Sequence, residues 1–284
     1  MLRPVKPPES LRAWLLGGLL IATPVLAQDE VPFVTTPDRV TLTMLELAGV
    51  GRDDHVIDLG SGDGRIVITA ARRFGASGLG VELVPDLVAR SRSAAQVAGV
   101  QARTEFRVQD LFDTDLRPAT VVTMYLLPDV NLQLRPRLLA LAPGTRIVSH
   151  DYDLGDWRAD QTREVDVPDK PVGLARLSRV HLWTVPADLH GLWCAAGLSL
   201  DLRQRFQQVS ATLRGAERAP RGLVFDARIV GANLRPLDAQ LPTWRLDGAG
   251  RLAVQQVGNL PEASGQVFER ALASDCPPAV PRRP

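Results

Sequence analysis

Three carboxylates and a run of glycines carry the chemistry written into this sequence. Asp58, Glu82 and Asp110 each lie at the carboxyl end of a short apolar run. Behind the first stands Gly60-Ser61-Gly62-Asp63-Gly64, with glycine at every second position. A carboxylate accepts the protons of hydroxyl or ammonium groups more strongly than a neutral side chain does. Glycines allow a turn through φ > 0 and let a ligand approach the backbone with no Cβ between them. A pyrophosphate resting on a helix N-terminus calls for G-x-G-x-x-G. Here the spacing is G-x-G-x-G, and Asp58 and Asp63 flank the turn. Two carboxylates disfavour a pyrophosphate and suit a ligand carrying an ammonium and a sulfonium. The residues argue against a nicotinamide dinucleotide and for a cationic one-nucleoside cofactor.

The elements that must position these acids can be read outward from the glycines. His55 to Leu59 reads as a buried strand, and Ile66, Ala70 and Phe74, with Val67 and Ala71, form one face of the helix that follows. Strand, glycine turn and helix open a doubly wound, mostly parallel α/β sheet, in which ligands lodge at the carboxyl ends of strands. Gly78 to Glu82 is a second strand, and Glu82 follows the turn by about 20 positions, the interval at which an acid meets ribose hydroxyls. Pro85 to Val97 is a helix with Leu87, Ser91, Ala94 and Ala98 on one side. Phe106 to Leu111 is a third strand closing on Asp110, and Ala119 to Tyr125 a fourth. A helix spans Asp129 to Leu141, and Arg146 to Ser149 is a fifth strand. Leu174 to Pro186 supplies the last two strands as a hairpin. Upstream, Val31 to Pro37 is extended, because Pro32 and Pro37 hold their predecessors out of the α region. Thr36 is read as a helix N-cap with Pro37 at the first helical position, and Val40, Met44 and Leu47 mark a helix ending near Gly49.

Past Pro186 the texture changes. Leu198-Leu200-Leu202 and Leu223-Phe225-Ala227-Ile229 alternate with polar residues as half-buried antiparallel strands do, and Phe206 to Val209 shifts the phase by one, as a bulge would. Thr243 to Leu246 and Leu252 to Val257 read as further strands. Residues 187–275 form a small antiparallel β domain or extension, for substrate docking or fold completion, and residues 276–284 a Pro-rich disordered tail.

With 284 residues, 45% hydrophobic and 23% charged, and a net charge of +1, the chain is globular and has no basic stripe, which excludes a nucleic-acid partner. Residues 1–27 differ in kind. Arg3, Lys6 and Arg12 precede an uncharged run from Ala13 to Ala27, and Val25-Leu26-Ala27 offers a cleavage site before Gln28. This is a signal peptide for export to the periplasm or beyond, or, uncleaved, a membrane anchor. Cys194 and Cys276, the two cysteines, either pair in an oxidising compartment or remain free thiols. His55, His150, His181 and His190 are scattered, and no metal set is expected. With no nucleophile–base pair evident, His150 and Trp157 read as rim residues.

An acid followed by G-x-G-x-G, with Glu82 and Asp110 at the next two strand ends, resembles the class I methyltransferases that use S-adenosylmethionine. Taken with Val31 to Pro37, Tyr125-Leu126-Leu127-Pro128 and Ser149-His150-Asp151-Tyr152 through Trp157, the string resembles one protein-lysine methyltransferase family. It includes the enzymes acting on the adenine nucleotide translocase and the ATP synthase c-subunit. The resemblance implies a seven-strand Rossmann-like sheet over residues 28–186 and S-adenosylmethionine as cofactor. Asp58, Gly60, Ser61, Gly62 and Gly64 would surround it, Glu82 would take the ribose hydroxyls, Asp110 and Leu111 the adenine, and Phe33 and Thr35 would face the methionine end. Tyr125, Leu127 and Pro128 would shape the acceptor pocket, with no obligatory base. The implied partner is a lysine-bearing protein, and a retained leader implies membrane association. The fourth strand lacks Asn-Pro-Pro-Tyr, which speaks against nucleobase amino groups and glutamine amides. Two alternatives stand beside this: a small-molecule acceptor, or an exported protein that binds the cofactor without turnover, since export removes the obvious cofactor supply.

Overall fold

A computed structural model describes residues 34–168, 176–216, 221–272 and 276. The leader, Phe33 and the tail beyond Cys276 lie outside the described residues.

The first half alternates strand and helix: α1 (Asp38–Leu47), β1 (His55–Leu59), α2 (Arg65–Thr69) continued by a π-helical turn over Ala70–Phe74, β2 (Ser77–Glu82), α3 (Pro85–Val97), β3 (Thr104–Val108), β4 (Val121–Met124), α4 (Pro128–Leu139), β5 (Arg146–His150), β6 (Gln161–Asp166) and β7 (Leu177–Thr184). The seven strands make one sheet in the order β3-β2-β1-β4-β5-β7-β6. All pairs are parallel except those of β7, which runs antiparallel to β5 and β6. The central strands are buried on both faces, as parallel strands flanked by helices must be. Val56, Val121, Val148 and Val180 pack on one side with Val40, Met44 and Leu45 of α1. Ile57, Leu59, Val122, Met124 and Ile147 point the other way, against Leu134 and Leu138 of α4. Two apolar faces fix the register, since a slip of one residue would turn every side chain over.

Four expectations need correction. The strand paired with β7 is β6, not part of a hairpin within Leu174 to Pro186. It is an edge strand with only Val165 buried, so its sequence has no apolar alternation to betray it. Pro37, not Thr36, caps α1. Thr36 is buried, and its hydroxyl meets His150 Nδ1 at 3.3 Å instead of the helix. The buried face of α3 is Leu87, Val88, Ser91 and Ala95, leaving Ala94 exposed. Finally, β3 ends at Val108, so Asp110 belongs to the loop after it.

The second half is β throughout: β8 (Gly191–Ala195), β9 (Leu198–Arg205), β10 (Gln208–Arg214), β11 (Leu223–Val230), β12 (Asn233–Pro236), β13 (Thr243–Leu246), β14 (Leu252–Gln256) and β15 (Val267–Arg270). These close into an antiparallel barrel, with β15 pairing back on β8. Alternate residues fill its interior, among them Trp193, Leu200, Leu202, Val209, Ala211, Phe225, Trp244 and Phe268, as in a small barrel with a packed core. The phase shift at Phe206 is not a bulge. Arg205 pairs with Gln208, so Phe206 and Gln207 form a two-residue hairpin turn and alternation restarts beyond it. Cys194 and Cys276 form a disulfide, and Cys194 faces Glu269 across the seam between β8 and β15.

Candidate active site

The glycine turn sits where the sequence places it, at the carboxyl end of β1, and its geometry is held from three sides. Gly60, Gly62 and Gly64 have φ of +72°, +54° and +78°. At Gly64 a Cβ would come within 2.8 Å of Ser91 Cβ and 2.7 Å of the Phe106 ring, so space as well as φ demands glycine. The amides of Gly60 and Ser61 donate to Val81 O at 3.0 and 2.9 Å. Ser91 Oγ donates to Gly62 O at 3.0 Å. Glu82, at the end of β2, accepts from Gly62 N at 3.0 Å through Oε2, and from Leu83 N and Val84 N at 2.8 and 3.1 Å through Oε1. One carboxylate thus fixes both the turn and the start of the next loop.

Charge inside the turn is unbalanced. Asp58 is 2% exposed, with Thr123 Oγ1 donating to it at 2.7 Å. Burial, partly offset by the Thr123 bond and reinforced by the charges of Asp63 and Glu82, pushes its carboxyl up to about 7. Burial also pushes Asp63 up, but the hydrogen bonds and charge of Arg65 more than offset this and leave it below the ordinary carboxylate range. Arg65 grips Asp63 with Nε to Oδ1 at 2.9 Å and Nη2 to Oδ2 at 2.6 Å, and donates Nη1 to Thr36 O at 2.8 Å. It therefore ties the lead-in segment, with half-buried Thr35, to the glycine turn. Ser61 Oγ is buried without a hydrogen-bond partner. A buried acid that a cation would relieve, an orphan hydroxyl and a turn of positive φ with no room for a Cβ at Gly64 fit a positively charged adenosyl ligand.

The next two loops supply the remaining walls. Asp110 Oδ1 accepts from Phe112 N at 2.8 Å and so caps a single 3₁₀ turn, Leu111–Asp113, which presents half-buried Leu111 beside exposed Phe112. After β4, the Tyr125 ring lies 3.9 Å from that of His150 and 6.3 Å from that of Tyr152, nearly parallel to the latter at 18°. Burial, with Asp151 and Tyr152 nearby, pushes its phenol up to about 12. Leu127, 46% exposed, caps α4, whose first residue is Pro128.

The structure thus brings Asp58, Gly60, Ser61, Gly62, Gly64 and Glu82 together in one bonded cluster, and sets Asp110 with Leu111, and Tyr125 with Leu127 and Pro128, on successive loops of the same edge. His150 and Trp157 are not rim residues, because each is at most 1% exposed. His150 is bonded through Nε2 to Ser178 at 2.9 Å and forms the floor under Tyr125. Thr123, Asp151 and Tyr152 went unassigned in the sequence. Thr123 had a signal, a hydroxyl in the otherwise apolar run Val121 to Met124. Asp151 had none: its φ of +63° is a fact of the fold.

Known proteins agree with this geometry. The family model of the ANTKMT methyltransferase domain matches residues 58–161. A protein-lysine N-methyltransferase from Saccharolobus islandicus is 42% identical over 139 residues, covering 48% of this chain and 86% of that protein. The adenine nucleotide translocase lysine N-methyltransferase of Mus musculus is 37% identical over 130 residues, covering 45% of this chain and 56% of that protein. Among solved structures, an RNA methyltransferase from Salinibacter ruber in complex with S-adenosyl-L-homocysteine is 50% identical with a TM-score of 0.50, covering 55% of this chain and 96% of that one. The two relatives and the solved structure each cover about half of the chain, and the family model a little over a third. Cofactor cradle, strand order and sequence agree, and the chain belongs to the class I S-adenosylmethionine-dependent methyltransferases, in the family of the ANTKMT methyltransferase domain.

Proposed function

We propose that this methyltransferase acts on the ε-amine of a lysine in a protein. The observation that carries the reading is the charge of the acceptor side. The loops after β3 and β5 hold Asp110, Asp151 and Asp153, and Asp129 lies in the first turn of α4, while Arg65 and Arg135 are engaged with Asp63 and Asp156. A lysine arrives as a cation and is drawn to such a surface, whereas a nucleic-acid backbone is repelled by it. The names of the archaeal and mouse relatives support the same acceptor class.

The cofactor, once bound, supplies a methyl already activated by its sulfonium. Transfer to an amine would make the new N–C bond at the expense of the C–S bond and leave S-adenosylhomocysteine. The residues need only hold the amine in line at about 3–3.5 Å, an arrangement worth much of the rate. The lysine must first shed a proton from a pKa near 10.4, and partial desolvation against the Tyr125 ring and Leu127 lowers that value. Asp58, Glu82 and Asp110 would hold the cofactor. Retention or export by the N-terminal segment is also proposed. The Cys194–Cys276 disulfide fits an oxidising compartment, and mass spectrometry of the mature N-terminus distinguishes Gln28 from an intact leader.

One observation favours a second reading: the similar Salinibacter ruber protein is an RNA methyltransferase by name. The deciding experiment supplies methyl-tritiated S-adenosylmethionine to the enzyme with protein and RNA fractions. Label that survives ribonuclease and co-elutes with methyl-lysines after acid hydrolysis is expected. Label released by ribonuclease would overturn the lysine reading.

A further inference from the structure

The turn between β9 and β10 does more than reverse the chain. Phe206 lies against the methyltransferase half, its ring stacked on that of Trp157 at 6.0 Å and 19°. On its other side Trp157 meets Trp183 of β7 at 6.2 Å. A fully buried loop tryptophan is thus gripped between barrel and sheet. The guanidinium groups of Arg135 and Arg205 flank the Phe206 ring at 5.8 and 6.0 Å, and both pair with Asp156. Gln207, only 3% exposed, donates to Arg158 O at 2.6 Å and to Asp160 Oδ1 at 3.2 Å, and Arg228 of β11 also pairs with Asp160. The barrel therefore binds the far half of the loop joining β5 to β6.

The near half of that loop is Asp151 to Asp153. Asn131 of α4 donates Nδ2 to the carbonyls of Tyr152 and Asp153, both at 3.3 Å, and Ser149 Oγ donates to Tyr152 O at 2.5 Å. The loop is consequently held at both ends, with Tyr152, at the near end, stacked toward Tyr125. The turn itself is strained. Phe206 has φ of +54°, a conformation unfavourable for an L residue and one that glycine adopts freely. A large ring kept where the backbone favours glycine points to a role for the ring. The bonds that hold the glycine turn, by contrast, come from Val81, Glu82 and Ser91.

We propose that the barrel is a positioning module for the methyl acceptor: Phe206 clamps Trp157 at the far end of the loop and so, together with Asn131 and Ser149 at the near end, sets Tyr152 against Tyr125, while the cofactor half of the site is held independently. The proposal rests on the reading of Tyr125 as the acceptor wall. Phe206 is a positioning residue, acting through Trp157.

The test uses the full chain with Phe206→Gly, which keeps the turn conformation and removes the ring, with Phe206→Ala as a strained companion and Phe206→Tyr as the conservative rescue. Calorimetry with S-adenosylhomocysteine, hydrogen exchange and a spectrophotometric phenol titration are read together. The titration is clean because Tyr125 and Tyr152 are the only two tyrosines in the chain. Phe206→Gly is expected to bind S-adenosylhomocysteine within about twofold of the parent, since no cofactor contact is touched. Exchange over residues 151–160 should rise roughly tenfold, as expected for a loop losing its packing. The high-titrating phenol should fall toward its ordinary value near 10, and Phe206→Tyr, which adds a third phenol of its own, should restore the exchange protection. Unchanged exchange and an unchanged phenol would overturn the clamp, and so would a loss of S-adenosylhomocysteine binding equal to the loss of loop order. Tyr125→Ala separates the two readings. If it leaves methyl incorporation intact, the acceptor placement falls, whatever the exchange data say of the clamp.

Discussion

The two halves of this molecule are both built on strands and differ in how the strands end. In the sheet of β1 to β7 the carboxyl ends of β1 to β5 open together onto one edge, and the irregular backbone, the charge and the buried polar groups collect there. Asp58, Ser61, Thr123, Ser149 and His150 are all buried. In the barrel every strand returns to a neighbour and the interior is filled by Leu, Val, Phe and Trp side chains. Gln207 is the one buried polar residue of the barrel among those described, and it lies at the turn that docks on the sheet. The difference teaches where chemistry can live. An open edge exposes backbone amides and tolerates an uncompensated acid, as a ligand site requires, whereas a closed and filled barrel offers rigidity and an outer surface.

Perturbing each half should leave the other's property untouched. The largest effect expected is in the barrel. Replacing Cys194 and Cys276 by serine opens a loop with a sequence separation of 82, which the chain-entropy account values at about 4 kcal/mol. Thermal unfolding should show barrel signals melting earlier, with S-adenosylhomocysteine affinity unchanged by calorimetry; a matching loss of affinity would break the division. Next, Gly64→Ala drives a Cβ into Ser91 and Phe106 at a positive φ and should cost about 3 kcal/mol, with cofactor binding lost below detection. Glu82→Ala should weaken binding by about 2 kcal/mol, on the scale of a hydrogen bond to a charged group; unchanged affinity would remove Glu82 from the site.

Asp58 gives a pH signature with a definite sign. Its folded pKa of about 7 lies above the usual carboxylate value, so between about 4 and 7 the folded protein holds a proton that the unfolded chain has lost. The stability of the free protein should fall as pH rises through that window, and affinity for the cationic cofactor should rise across it. Asp58→Asn should abolish both slopes and raise the melting temperature at pH 8 by a few degrees. A wild-type affinity that does not change between pH 6 and 8 would sink this account. The smallest effect expected is the control in the barrel. Gly250 also has positive φ, at +76°, but a Cβ there meets nothing within 4 Å, so Gly250→Ala should cost only about 1 kcal/mol.

The sheet was legible because its central strands are short apolar runs that stop at acids. His55 to Leu59 and, but for its first residue, Ser77 to Glu82 could be read directly, and so could the glycine turn with its flanking acids, because glycine spacing and charge are local properties. What escaped depends on distant partners. Gln161–Asp166 joins the sheet only because β7 lies beside it, and nothing in its exposed, polar sequence says so. His150 reads as a rim residue because no nucleophile–base pair is evident in the sequence; its partners Thr36 and Ser178, which hold it in the interior, are remote in sequence. Phe206 was read as part of a bulge because a phase shift in alternation looks alike for a bulge and a tight turn. The barrel's strands were visible, but closure is a property of β8 meeting β15 across the whole domain.

Thr36, held by Arg65 through its carbonyl and by His150 through its hydroxyl, fixes where the chain joins the site: it stands beside the ring that Tyr125 rests on, two residues after Val34. A peptide grafted immediately upstream of Val34 would therefore be tethered at the acceptor mouth. For a short flexible linker such a tether corresponds to an effective concentration in the millimolar range. Methyl transfer to a grafted lysine would become a first-order process, independent of enzyme dilution, and sequences too weak to be captured in trans could be ranked by their single-turnover rates.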